Sequence, residues 1–272
     1  MAVAPHQVSP ETAATDSARL DDAVERNPGN AIYWNNRGWD RWQNGDIEAA
    51  LSDFERAIEL QPDYLQAKVN HAQLLRRSGR TEESEQEQRQ IVEIDPNFAH
   101  GYYNLAVTLF ELQRFEEALP AIDRAIAIEA TDADYFVIRG SILEGLQRKE
   151  EALSEFTRAL GIDKNHARAY FMRGNMQFDL GRLQTAVADY TRALELTPDI
   201  AECYLNRGLC YFALDNFAAA RADLERALQL KPEFGIAHLR LGQIARRENR
   251  AADADRHLAT ARSLGFSERD GD

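Results

Sequence analysis

Four arginine–glycine pairs are the residues most able to do chemistry. They occur in "WNNRGW", "FVIRGS", "YFMRGN" and "YLNRGL", with glycines at Gly38, Gly140, Gly174 and Gly208. The gaps are 102, 34 and 34 residues, all multiples of 34. A guanidinium is a rigid fork of donors that matches carboxylate and phosphate oxygens. Evenly spaced arginines could therefore grip an acidic ligand, or hold acids of their own chain. Other reactive types are sparse. The six histidines fall at unrelated places, so no metal cluster is expected. There is no glycine-rich phosphate loop, Cys-x-x-Cys or His-Glu-x-x-His. The chain therefore reads as a non-enzyme with no catalytic residues, no metal and no cofactor. Cys203 and Cys210 lie seven residues apart in one expected helix, roughly 10 Å along its axis. A disulfide needs Cα atoms within about 7 Å, so both are expected to be free thiols, which fits a reducing compartment.

The elements that position these residues follow from a period. Prolines at Pro28, Pro62, Pro96, Pro198 and Pro232 share one 34-residue register, with Ala130 and Lys164 in the two unfilled slots. The chain divides without insertion into rows 31–64, 65–98, 99–132, 133–166, 167–200, 201–234 and 235–268. Position 4 of the rows is mostly aromatic (Trp34, Tyr102, Phe136, Tyr170, Tyr204). Position 24 is mostly large and apolar (Phe54, Ile122, Phe156, Tyr190, Leu224, Leu258). Positions 8, 20 and 27 are small: Gly174, Ala186 and Ala193 in row five. This predicts two helices per row, large residues filling the gap between them and small ones letting the axes approach. Gly45, Gly79 and Gly181 at position 15 suit a left-handed cap after the first helix. Proline at position 32 ends the second.

Rows five and six, "ARAYFMRGNMQFDLGRLQTAVADYTRALELTPDI" and "AECYLNRGLCYFALDNFAAARADLERALQLKPEF", closely resemble the tetratricopeptide repeat motif. The resemblance covers 238 of 272 residues, seven rows of 34. It implies an all-α fold, an α-solenoid of antiparallel helix pairs wound into a right-handed superhelix. The expected organisation is a flexible N-terminus over 1–10, an N-terminal capping helix (half a repeat) over 11–30, the solenoid over 31–268 and a tail over 269–272. Leu20, Ala23, Val24 and Pro28 support the cap, since they repeat positions 24, 27, 28 and 32. Row two departs from the pattern. Lys68, Ser84 and Gln88 replace packing residues, and "TEESEQEQRQ" is almost wholly polar, so a looser pair or a partner contact is expected there. Pro120 is expected to remove a backbone bond and bend its helix.

In such a solenoid the first helices line a concave groove. The resemblance implies that positions 2, 5, 6, 9, 12 and 13 face it. Position 6 holds Asn36, Asn70, Asn104 and Asn206, whose amides could bond the backbone of an extended peptide or simply be solvated. An apolar lining is expected from Tyr103 and Phe110 in row three, Phe171 and Phe178 in row five, and Leu205, Leu209 and Phe212 in row six. Packing between adjacent first helices accounts for part of each. Trp39 and Trp42 are expected at the groove mouth, free or covered by residues 1–10. Some relatives grip a C-terminal carboxylate with a basic clamp. Asn175, Asn206 and Arg240 match it, but Phe171 and Ile236 stand where lysines belong, so that ligand is not expected.

The arginine question is answered by comparing rows. Position 7 reads Arg37, His71, Leu105, Arg139, Arg173, Arg207, Leu241, and position 23 reads Asp53, Glu87, Ala121, Glu155, Asp189, Asp223, His257. Every arginine row has an acid, and both leucine rows lack one. Residues that vary together point to contact. We therefore expect ion pairs Arg37–Asp53, Arg139–Glu155, Arg173–Asp189 and Arg207–Asp223 between first and second helices.

A net charge of −13 argues against general binding to nucleic acid or anionic membranes. No apolar run reaches membrane-spanning length. The N-terminus lacks a basic start and apolar core, so no signal peptide and a cytoplasmic location are expected. The expected function is a non-catalytic interaction scaffold that binds an extended or helical segment of a partner protein or peptide, as a monomer or weak homo-oligomer. The alternatives are a self-assembly or complex-assembly module, and a regulatory subunit or non-catalytic fragment of an enzyme.

Overall fold

A computed structural model describes residues 10–267, with side chains described from residue 17 onward. The expectations for residues 1–9 and 269–272, including a covering of Trp39 and Trp42, lie outside the described residues. Among the described residues there are helices and no strands. They form two compact units, divided between Ala130 and Thr131.

The first unit holds α1 (Pro10–Arg26), α2 (Ala31–Gln43), α3 (Ile47–Leu60), α4 (Leu65–Arg77), α5 (Thr81–Ile94), α6 (Ala99–Glu111) and α7 (Phe115–Ile128). The second holds α8 (Ala133–Gly145), α9 (Lys149–Ile162), α10 (Ala167–Asp179), α11 (Leu183–Leu196), α12 (Ala201–Ala213), α13 (Phe217–Leu230), α14 (Gly235–Arg247) and α15 (Ala251–Ser263). First helices begin every 34 residues, at Ala31, Leu65 and Ala99 in one unit and at Ala133, Ala167, Ala201 and Gly235 in the other. Each packs most heavily on the helix that follows it. Among the described residues no helix is long and apolar enough to cross a membrane.

The pairing is dictated by size. Phe54, Phe156, Tyr190 and Leu224 at position 24 are completely buried, each worth roughly 1.5–3 kcal/mol relative to exposure. In these four rows the first helix can approach because position 8 is glycine. A Cβ at Gly140 would meet the Phe156 ring at 2.5 Å, and one at Gly174 the Tyr190 ring at 2.8 Å. Row two solves the same gap with polar groups. Buried Lys68 donates from Nζ to Gln90 Oε1 at 2.8 Å, and buried Ser84 donates from Oγ to the Ala72 carbonyl at 2.8 Å. Gln88, also buried, leaves its Oε1 without a hydrogen-bond partner. α7 runs through Pro120, which has no N–H to donate.

Candidate functional site

The position 7 arginines sit against second helices. Arg37 donates to both oxygens of Asp53, from Nε at 2.9 Å and Nη2 at 2.7 Å. Arg173 does the same to Asp189 at 2.7 and 2.7 Å, and Arg207 to Asp223 at 2.7 and 2.8 Å. Arg139 is looser, 3.4 Å from Glu155, which Arg158 shares at 3.3 Å. The three bidentate acids are buried, and forked geometry makes such pairs stronger than single-donor contacts. Hydrogen bonding to the acid raises the pKa of Arg37, Arg173 and Arg207 above the ordinary guanidinium value. His71 takes the arginine's part in row two, with Nδ1 2.5 Å from Glu87. These arginines are held inward by the fold.

The asparagines are brought together with a different outcome. Asn70 donates from Nδ2 to Asn35 Oδ1 at 2.9 Å and accepts from Gln66 Nε2 at 2.9 Å. In the second unit, Asn206 donates to Asn175 Oδ1 at 3.0 Å, and the same oxygen accepts from the Tyr190 hydroxyl at 2.8 Å. Asn70 and Asn104 are only 5% and 6% exposed, and Asn104 Nδ2 has no hydrogen-bond partner. The expected row of four open amides is therefore corrected. Adjacent first helices lie close enough for these side chains to tie them to one another, and Asn36 alone among the four is exposed.

The apolar expectations divide similarly. Leu205 is corrected to a core residue, 8% exposed and clustered with Leu224 and Leu241. Trp42 is drawn partly into the core against Phe54 and Leu75, with Trp39 edge-on to it at 5.1 Å and Arg77 over it at 5.2 Å. Trp39 is 45% exposed. Phe171 and Phe178, and likewise Leu209 and Phe212, are half-buried against their unit's core. Tyr103 stacks on His100 at 5.4 Å, and Phe110 meets Phe115 at 5.6 Å. Arg240 lies over Phe212 at 4.8 Å and donates to Gln243 at 3.0 Å.

A cleft of about 510 Å³ in the first unit runs along successive first helices. Asn35, Asn36, Trp39, Gln66, Val69, Asn70, Gln73, Phe98 and His100 line it. Most are at positions 2, 5, 6 and 9 of successive rows. Asn35, Gln66, Gln73 and His100 were not singled out in the sequence, because their neighbours in the cleft belong to other rows. The lining is rich in uncharged amides, which donate and accept without selecting a charge. Among the described residues no group of three or more His, Cys, Asp or Glu is placed to hold a metal.

Comparison with known proteins agrees with this architecture. A tetratricopeptide repeat model matches residues 35–99 and 103–167, a TPR repeat model 174–215, and a second tetratricopeptide repeat model 201–234. An uncharacterized protein of Methanocaldococcus jannaschii is 41% identical over 61 residues, 22% of this chain and 71% of that protein. A chain of the APC/C hetero-tetramer Cut9-Hcn1 superposes with a TM-score of 0.71 at 17% identity, over 85% of this chain and 46% of that one. This chain thus spans less than half the length of that neighbour. YrrB, described as a TPR protein with an unusual peptide-binding site, superposes with a TM-score of 0.54 at 24% identity, over 68% of this chain and 95% of that one. The matched models and the recurring helix pairs place this chain in the tetratricopeptide repeat family.

Proposed function

We propose that this protein is a non-catalytic scaffold that binds an extended segment of a partner protein across α2, α4 and α6. The amide-lined cleft beside Trp39 carries this reading. A peptide backbone presents alternating donors and acceptors, and asparagine and glutamine side chains answer both. Recognition would then depend little on the partner's side chains, with an exposed tryptophan as anchor. YrrB, a TPR protein with an unusual peptide-binding site, supports the reading by likeness of fold.

The test is capture on a peptide array, compared between the native chain and two variants, Trp39→Ala and Asn36→Ala/Gln73→Ala. All three positions are on the surface of the cleft, so folding should survive. Each variant is expected to weaken capture by about 1–2 kcal/mol. Unchanged capture in both variants would sink the proposal. Light scattering at rising concentration supplies a second arm: steady growth of mass would favour self-assembly instead.

A further inference from the structure

A different cleft differs between rows in an informative way. Where a first helix meets its own second helix and the helix before it, three rows fill the gap with their own arginine. Arg173 joins Asp189 of α11 to Thr157 of α9, its guanidinium 5.6 Å from the Tyr170 ring. Arg207 joins Asp223 of α13 to Thr191 of α11, 5.6 Å from Tyr204. Arg37 joins Asp53 of α3 to Asp21 of α1, 4.8 Å from Trp34.

Row three has Leu105 and Ala121 in place of arginine and acid, yet keeps the aromatic residue, Tyr102, which Arg124 approaches at 6.0 Å just as Arg226 approaches Tyr204 at 5.9 Å alongside Arg207 in row six. An open cleft of about 310 Å³ remains between α5, α6 and α7, the volume of roughly ten waters at about 30 Å³ each. Buried Leu105, Leu109 and Ala121 form its apolar floor, and Tyr102 lines it as well. Arg89, Glu93 and Glu117 also line it. Arg89 is neutralised by Glu85 at 2.5 Å and Glu117 at 2.9 Å, and Glu117 also pairs with Arg114 at 2.7 Å. Glu93 is exposed and has no ion-pair or hydrogen-bond partner among the described residues.

We propose that this cleft is a docking pocket for an arginine side chain of a partner protein. The arginine stem lies on the apolar floor, as long cationic side chains bury their stems. The guanidinium takes the place that the chain's own arginine takes elsewhere, with the Tyr102 face and the Glu93 carboxylate as its partners. The chain's net charge of −13 favours approach of a basic partner. The pocket shares no lining residue with the amide-lined cleft, so the two proposals stand or fall separately.

The probe is N-acetyl-Gly-Arg-Gly-amide, titrated into the full chain at low salt and followed by NMR or calorimetry. Its citrulline analogue keeps the shape and loses the charge. Binding of the arginine probe is expected, with the citrulline analogue at least about tenfold weaker. Leu105→Arg/Ala121→Asp recreates the internal pair, fills the pocket and should abolish binding. Glu93→Gln, a surface change that leaves the core intact, should weaken it. The proposal is overturned if the native chain does not bind the arginine probe, or binds both peptides equally. Undiminished binding by Glu93→Gln or by the folded double variant would overturn it as well.

Discussion

At the scale of single residues, the same side-chain type does different work according to what stands opposite it. Arginine at position 7 is spent on an acid in rows one, four, five and six. Row three has neither arginine nor acid, and a cleft lined by Leu105 and Ala121 lies there instead. Comparison of rows made the pairing legible, because a guanidinium and its carboxylate must change together. The direction of the asparagines was not legible. Whether Asn70 faces solvent or Asn35 depends on how closely two first helices approach, a distance that no residue type encodes. A charged pair in the second unit gives a prediction at this scale. His166 Nε2 lies 3.1 Å from Asp134 Oδ1. This hydrogen bond lowers the Asp134 pKa and raises that of His166. A lowered acid contributes stability above its unfolded value, and a raised histidine contributes below its own. The pair therefore stabilises most between about pH 4 and 6.5 and loses its effect as pH rises through the folded histidine pKa. Denaturant titrations of the native chain and Asp134→Asn should differ most near pH 5.5, by less than about 1 kcal/mol because the pair is partly exposed. A gap that widens from pH 6 to pH 9 would refute this assignment. The comparison isolates the pair from His238 and His257, whose pKa values burial lowers and which act in the opposite sense.

At the scale of elements, helix length and order were readable from the period, while the caps were only half readable. Glycine at position 15 announced a left-handed turn in three rows. The structure has φ between +57° and +60° at Gln113, Gln147, Asp215 and Asn249 too, alongside Gly45, Gly79 and Gly181. Packing of the second helix forces the turn in every row, whatever residue is there. Residues with a Cβ pay for this conformation, so Gln147→Gly is expected to raise stability by about 0.5–1 kcal/mol. Gly181→Ala should lower it by a similar amount. Denaturation midpoints decide the matter, and a lowered midpoint for Gln147→Gly would contradict the account. Row two shows the limit of reading by pattern. Its polar residues suggested a looser helix pair or a partner contact, yet buried Lys68 and Ser84 find acceptors within the pair.

At the scale of the whole molecule, charge is the property most plainly carried by composition. A chain at −13 attracts cations over about a Debye length, near 10 Å at 0.1 M salt. Association of a basic partner should therefore slow steeply as salt rises, while capture through the uncharged amides should change little. Stopped-flow measurements at two ionic strengths would separate the two surfaces, and identical salt slopes would count against that distinction. The sequence by itself determined the repeat, the helix pairs and the arginine–acid columns, since each follows from residue type at a fixed spacing. Only the tertiary structure decided which amides remain open and which leucines are core. It also revealed that row three leaves a cleft where others hold an arginine. Those outcomes depend on distances between helices that no single row contains.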